Sequence, residues 1–257
     1  ALMSAVIAAT AGLTFITAGA VMTDAALGLS TTVSMVAFWR AYVSRSRFWG
    51  YLFFVGLAAG LLTKGLVPFV LTLLPIGIWT LWKQQWRQVW ERLPWLTGSL
   101  LMLALAVPWY VMAEMRTPGF LDYFFLGEHW KKFTDSGWKG DLYGTAHNKP
   151  RGTIWLYWLI ADLPWSLVFI AALARKALRR RPGDAVLPLD DWTAYLIAWA
   201  LSPMLFFTLA GNIMLTYVLT GVPAFAILVA DLWQTGSEGR EPAPAVSAPR
   251  GILWPVL

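Results

Sequence analysis

The sequence predicts an all-α, polytopic transmembrane helix bundle. Hydrophobic residues make up 58% of the chain and charged residues only 13%, against the roughly 25% of charged residues that is typical of soluble domains. Apolar runs of membrane-spanning length recur, and basic residues concentrate in alternate loops between them. These observations exclude a soluble globule. They also argue against nucleic acid as a partner, because the net charge of +6 is explained by membrane orientation.

Eight apolar runs approach or reach the roughly 17 to 25 helical residues needed to cross a hydrocarbon core. They lie at residues 1–22, 25–43, 48–63, 66–82, 94–113, 152–173, 192–210 and 213–234. We therefore predict a transmembrane core over residues 1–234, a linker at 235–250 and the start of a further, truncated span at 251–257. Because both chain ends fall inside apolar runs, we expect a fragment whose N-terminal part is missing.

Lysine and arginine in the loops predict the orientation of these spans. Three alternate loops hold eleven basic residues: Arg40, Arg45, Arg47, Lys83, Arg87, Arg92, Arg175, Lys176, Arg179, Arg180 and Arg181. These loops are assigned to the cytoplasm, and in the second of them residues 83–92 read as an amphipathic helix on anionic headgroups. The opposite loops, which include residues 114–151, are then extracytoplasmic.

The stretch 114–151 is the longest polar interval between apolar runs and contains both histidines of the chain. Thr117 and Pro118 resemble a helix start, with threonine as the N-cap and proline in the first turn. The aromatic residues that follow predict a juxtamembrane helix lying along the membrane surface. A loop of this length and composition suits a charged, lipid-linked substrate.

Glu128 and His129 would lie on this helix at the depth of lipid phosphates. They could bind a donor phosphate or a divalent cation, or move a proton. The alternative is that Glu128 pairs with Lys131 or Lys132 along the helix and that His129 is an ordinary interfacial side chain. A single Glu-His dipeptide lacks the spacing of a metal motif, so the sequence leaves both interpretations open.

Two further polar residues lie in short turns on the same predicted face. Asp24 stands between two apolar runs, where it could be a ligand, a base or the N-cap of the helix that starts at Ala25. Lys64 ends an apolar run just before Gly65, where a helix dipole favours a cation and glycine ends the helix. A phosphate partner for Lys64 is equally compatible.

Asp162 lies inside an apolar run just before Pro164. An acid at this depth is a functional candidate, and the alternative is a hydrogen bond to a neighbouring helix near the proline kink. Asn212 and Tyr217, beside the last outer turn, offer an amide and a phenol to the extracytoplasmic face.

Taken in order, these stretches resemble bacterial polyprenyl-phosphate-sugar glycosyltransferases of the GT-C fold, the group of the lipid A aminoarabinose transferases and the protein O-mannosyltransferases. The resemblance covers residues 22 to about 220, and no single motif is specific. The matching pieces are Met-Thr-Asp-Ala-Ala-Leu at 22–27, Gly-Leu-Leu-Thr-Lys-Gly at 60–65, Pro-Trp-Tyr at 108–110, 118–129, Gly-Asp-Leu-Tyr-Gly at 140–144, Pro-Trp at 164–165 and Tyr-Val-Leu at 217–219.

The resemblance implies an inverting glycosyltransferase in the bacterial inner membrane, with its active site facing the periplasm or the outside. It would transfer a hexose or pentose from an undecaprenyl phosphate carrier to a lipid or protein acceptor, in contact with membrane lipids. It also implies a principal catalytic acid upstream of Ala1, so Asp24, which matches the family's second acidic position, is the catalytic candidate in this chain.

The remaining candidate site residues follow from the resemblance and from the same face of the predicted bundle. The donor phosphate would be bound by Lys64, Glu128, His129, Lys131 and Arg151. The substrate would contact Tyr143, His147, Asn212 and Tyr217. A divalent metal cation, if used, would be bound by Asp24, Glu128 and His129; with no cysteine in the chain, its ligands would be oxygen and nitrogen atoms.

Two other functions remain open at the level of sequence. A transporter or flippase of a lipid-linked sugar should have paired broken helices with ionisable residues near the membrane midplane, and only Asp162 fits that description. A non-catalytic membrane subunit would not need the polar residues of the outer face.

Overall fold

The computed structural model describes residues 1–20, 22–135, 138, 140, 149–179 and 188–237, and these ranges contain helices and no strand. The elements are α1 (Leu2–Thr10), α2 (Gly12–Ala18), α3 (Thr23–Ser44), α4 (Arg47–Lys64), α5 (Val67–Lys83), α6 (Trp86–Arg92), α7 (Trp95–Arg116), a π-helical segment (Asp122–Lys131), α8 (Lys132–Thr134), α9 (Thr153–Ala161), α10 (Trp165–Arg179), α11 (Asp191–Phe207), a 3-10 segment (Leu215–Gly221) and α12 (Val222–Ser237). The predicted linker at 235–250 falls largely outside the described residues, and the span start at 251–257 falls wholly outside them. The all-α prediction is confirmed.

Two described helices are long and apolar enough to cross a membrane, Trp95–Arg116 and Leu215–Gln234, and the total is up to four if each of two bent helix pairs is counted as one span. The chain is a multi-pass membrane protein. Helix α5 is apolar but only 17 residues long, and α4 begins with arginine and ends with lysine. The length and composition of the described helices do not test the predicted count of eight spans, which stays a prediction.

Two predicted spans are broken by short interruptions. The run at 1–22 divides at Ala11, whose backbone is extended (ψ 131°), and the run at 152–173 divides between α9 and α10 with a bend of 101°. The two breaks meet, because the Gly12 N–H donates to the Leu163 carbonyl at 2.9 Å. The prediction of one continuous helix in each run was wrong, since apolarity does not report where a helix bends.

The centre of the bundle is the pair α3 and α4, which approach closely through small residues. A Cβ at Gly56 would lie 2.3 Å from the Ser34 hydroxyl oxygen, and one at Gly60 would lie 3.2 Å from the Ser30 hydroxyl oxygen. Such residues let membrane helices pack backbone to backbone. The tight pairing fixes the start of α3 beside the end of α4, and this juxtaposition builds the site.

The two ends of the bundle differ in charge. One, the basic end, carries the connections around Arg45, Arg47 and Lys83; Lys83 lies 3.2 Å from Asp191, so α11 also begins there. Since α3 runs from Asp24 to Ser44, 20 residues at 1.5 Å each put Asp24 about 30 Å from the basic end. We call the opposite end, which holds Asp24 and Lys64, the site end.

Candidate functional site

A partly buried ion pair joins the first turn of α3 to the last residue of α4. The Lys64 ammonium donates a hydrogen bond to the Asp24 carboxylate, with side-chain exposures of 25% and 6%, respectively. The ammonium also lies 4.9 Å from the centre of the Tyr217 ring, a cation–π distance. The N-cap alternative for Asp24 was wrong, because α3 begins at Thr23 and its N-cap residue is Met22. Asp24 lies in the first turn of the helix, where its side chain faces Lys64.

Gly65 forms the turn after Lys64, and His129 contacts that turn. Gly65 ends α4, as predicted, with φ +61° and ψ −130°, a conformation that glycine adopts far more readily than other residues. The His129 Nε2 atom accepts a hydrogen bond from the Leu66 N–H at 3.1 Å, and Nδ1 lies 2.7 Å from the Phe124 carbonyl oxygen. The tautomer with its proton on Nδ1 makes both bonds.

His129 lies on the π-helical segment, where residues five apart are aligned by the i→i+5 hydrogen bonds. This alignment brings Phe124 to His129 and Tyr123 to Glu128, where the tyrosine hydroxyl donates at 2.5 Å. The predicted helix thus exists, but it is π-helical over Asp122–Lys131, and its position along the membrane surface stays a prediction. We call residues 120–134, which include this segment, the surface helix.

The predicted N-cap at Thr117 was also wrong. The helical turns begin at Phe120, and the carboxylate of Glu114 caps them by accepting from the N–H groups of Gly119 at 2.9 Å and Leu121 at 2.8 Å. Sequence reasoning missed Glu114. An acid in the last turn of an apolar helix, a few residues before a Pro-Gly pair, is the signal that could have identified it.

Glu128 is engaged along its own helix. Lys132 donates to the Glu128 carboxylate at 3.0 Å, which confirms the sequence alternative that pairs these two residues. Asn212, predicted to contact substrate, uses its side-chain nitrogen to donate to the carbonyls of Lys132 at 2.6 Å and Asp135 at 3.1 Å. The surface helix is therefore tied to the connection between α11 and the 3-10 segment.

The remaining candidates lie around this centre or outside the described residues. Lys131 and Arg151 are exposed, and the turn before Arg151 reaches the site end because the Lys149 N–H donates to the Gly211 carbonyl at 3.4 Å. Tyr143 and His147 lie outside the described residues. Their substrate contacts stay predictions.

The three predicted metal ligands do not form a ligand set in this arrangement. Asp24 binds Lys64, Glu128 binds Tyr123 and Lys132, and Nε2 of His129 accepts from Leu66. Within the described part of the chain, no three His, Cys, Asp or Glu side chains cluster as a metal site would require. A bound divalent cation stays a prediction, and the three side chains do not fit it in this arrangement because each is engaged by another partner.

Asp162 lies away from this centre, at the break between α9 and α10. Only 1% of the residue is exposed, and its Oδ1 atom has no hydrogen-bond partner. The contact with the neighbouring helix is made by the backbone of Leu163 instead. The structure thus leaves a buried acid where two broken helices meet.

Comparison with known proteins decides the fold. The family model of dolichyl-phosphate-mannose-protein mannosyltransferases matches residues 1–124. The crystal structure of ArnT from Cupriavidus metallidurans bound to undecaprenyl phosphate superposes with a TM-score of 0.73 at 22% identity, over 90% of this chain and 40% of that one. The fold is that of the GT-C aminoarabinose transferases. The GT-C resemblance inferred from the sequence motifs is confirmed.

The chain is also similar in sequence to two proteins named undecaprenyl phosphate-alpha-4-amino-4-deoxy-L-arabinose arabinosyl transferase. The Erwinia tasmaniensis protein is 29% identical and matches 98% of this chain and 44% of its own length. The Aeromonas hydrophila protein is 31% identical and matches 88% of this chain and 39% of its own length. The chain thus spans about two fifths of the length of these glycosyltransferases.

Proposed function

We propose that the protein transfers a sugar from an undecaprenyl phosphate carrier to a lipid or protein acceptor. The observation that carries the proposal is the partly buried Asp24–Lys64 pair at the end of two packed helices, in a chain with the GT-C fold. The relatives named arabinosyl transferases support the donor class. The sugar and the acceptor would be set by residues around this pair.

Lys64 has the chemistry that a departing lipid phosphate needs. Negative charge develops on the phosphate as the sugar leaves, and a preorganised cation stabilises it in the transition state. The ammonium is held by Asp24 and lies against the ring of Tyr217, so little reorganisation is needed. The exposed Lys131 and Arg151 would add positive charge at the entrance.

Asp24 would have one of two tasks. As the partner of Lys64 it holds the ammonium in place, and as a carboxylate it could accept the proton of an acceptor hydroxyl. The hydrogen bond from Lys64 favours the first task, because the ammonium already engages the carboxylate. Asp24 is therefore assigned to the orientation of Lys64.

The site would face the periplasm of a bacterial inner membrane. Basic residues mark the opposite end of the bundle, at the connections around Arg45, Arg47 and Lys83, and basic loops stay in the cytoplasm. The surface helix, with Trp130 exposed, would lie at the outer membrane interface. A carrier lipid could then present its phosphate to Lys64 from the outer leaflet.

A second candidate function is transport of a lipid-linked sugar. It is favoured by the contact between the two helix breaks, where Gly12 binds Leu163 beside the buried Asp162, because broken helices that meet inside a membrane are typical of transporters. Substituting Asp162→Asn should abolish carrier translocation in vesicles if this function is correct.

The deciding experiment uses the purified full-length protein, of which this chain is expected to be a part, in vesicles with a radiolabelled undecaprenyl-phosphate sugar and an outer-membrane lipid acceptor. Sugar on the acceptor supports transfer, and Lys64→Met should reduce it at least about a hundredfold, which is the range for loss of one preorganised charge-stabilising group. If the intact labelled carrier moves between leaflets and no sugar appears on any acceptor, the protein is a transporter and the proposal of sugar transfer is rejected.

A further inference from the structure

The surface helix is held at both of its ends by side chains that belong to other elements. At its start, Glu114 from the last turn of α7 accepts from two backbone N–H groups. At its end, Asn212 from the connection after α11 donates to two backbone carbonyls. These two side chains are the end clamps of the surface helix.

The clamps satisfy the groups that a helix cannot satisfy by itself. The first N–H groups and the last carbonyls of a helix have no partner inside it, and the helix dipole favours an anion at the first end. A carboxylate at the start and a pair of amide donors at the end match this polarity. Asn212 is only 5% exposed, so water is a poor substitute for its contacts.

The need for clamps is greater here because the segment between them is π-helical. Such helices are rare, usually a single turn, and frequent at functional sites, whereas this one extends over ten residues. It carries His129, which binds the turn after Lys64, and Glu128, which binds Lys132. The position of these side chains relative to the Asp24–Lys64 pair depends on where the ends of the helix are held.

We propose that Glu114 and Asn212 are positioning residues for sugar transfer, which hold the surface helix so that His129 stays on the turn beside Lys64. This inference rests on the proposed function, because the reaction that it names is sugar transfer. The clamps themselves act on geometry, and neither residue needs to touch the donor. Loss of a clamp should therefore misplace the donor-phosphate site and leave the acceptor site unchanged.

The kinetic test compares variants that keep the side-chain size. Glu114→Gln leaves one oxygen for two N–H groups, and Asn212→Asp replaces both donors by acceptors facing carbonyls. Each should raise the KM for the carrier-linked donor at least about tenfold, since displacement of a site by about 1 Å costs up to a hundredfold, while the KM for the acceptor stays within about twofold. Glu91→Gln, which removes an exposed acid at the basic end, is the matched control and should change neither.

A distance measurement tests the geometry independently of the reaction. Spin labels replace Leu126 on the surface helix and Leu62 near the end of α4, both exposed apolar positions, in the purified protein. The label distance should be narrow with native clamps and in Glu91→Gln, and broad in Glu114→Gln and Asn212→Asp. A narrow distribution in both clamp variants would overturn the proposal, as would equal rises in donor and acceptor KM. If the protein transfers no sugar, the distances still report on the clamps, so the two failures are distinguishable.

Discussion

The substitution Gly65→Ala tests whether the turn after Lys64 is built around His129. An added Cβ would lie 2.4 Å from Nε2 and 2.5 Å from Cε1 of His129, and 2.7 Å from Cε1 of Phe124, well inside normal contact. The φ of +61° adds backbone strain of about 1 to 3 kcal/mol. Overpacking adds about 1 to 3 kcal/mol, so the free energy of unfolding should fall by about 2 to 6 kcal/mol.

Gly152 is a comparison glycine with positive φ in open space. It has φ +85°, and its added Cβ would meet nothing within 4 Å. Gly152→Ala should therefore cost only about 1 kcal/mol, the usual penalty for a side chain in the left-handed region. Thermal unfolding in detergent gives both values, and sugar transfer should fall in Gly65→Ala because His129 and the surface helix must move.

A third variant identifies the clashing side chain. In Gly65→Ala with His129→Ala the imidazole is gone, so the double variant should recover about 1 to 3 kcal/mol of the steric loss relative to the sum of the single variants. The reasoning is refuted if Gly65→Ala costs no more than Gly152→Ala, or if the two substitutions at the turn are additive. Either result would mean that the contact between His129 and Gly65 does not shape the turn.

Three further predictions address charge and orientation. Lys64→Met should lower the free energy of unfolding by about 3 kcal/mol, because it removes the ion-pair partner of the buried Asp24. Adding Asp24→Asn should restore part of this loss, and no restoration would argue against the pair. If Glu128 helps bind the donor, Glu128→Gln should reduce sugar transfer at least about tenfold, which equals about 1.4 kcal/mol of transition-state stabilisation. A change in melting temperature alone would mean that Glu128 only stabilises the surface helix. In right-side-out vesicles an impermeant thiol reagent should label Arg151→Cys and spare Arg45→Cys, and the reverse pattern would invert the predicted topology.

The position of the helices could be predicted from the sequence to a large extent. The runs at 25–43, 48–63 and 94–113 correspond to α3, α4 and α7 within a few residues, because in a membrane the backbone must satisfy its own hydrogen bonds and apolar runs therefore become helices. The stop at Gly65 was also predicted correctly. These features depend on neighbouring residues alone.

The partners of the polar residues were decided by the tertiary structure. Asp24 and Lys64 are 40 residues apart, and they meet because small residues on α3 and α4 let the two helices pack closely. Asn212 reaches Lys132 across 80 residues, and Glu114 folds back onto a helix whose start had been assigned to Thr117. Contacts over such separations follow from the packing of whole helices, which no local pattern encodes.

The sequence by itself therefore determined that this protein is an all-α membrane bundle, and it predicted that Asp24, Lys64, Glu128 and His129 share one face. Only the tertiary structure decided which side chains pair, where the helices break at Ala11 and Asp162, and that the surface helix is π-helical. The physical reason is that apolar periodicity reports the environment of each residue. A hydrogen bond or ion pair depends on the distance between two residues, and that distance exists only once the helices are packed.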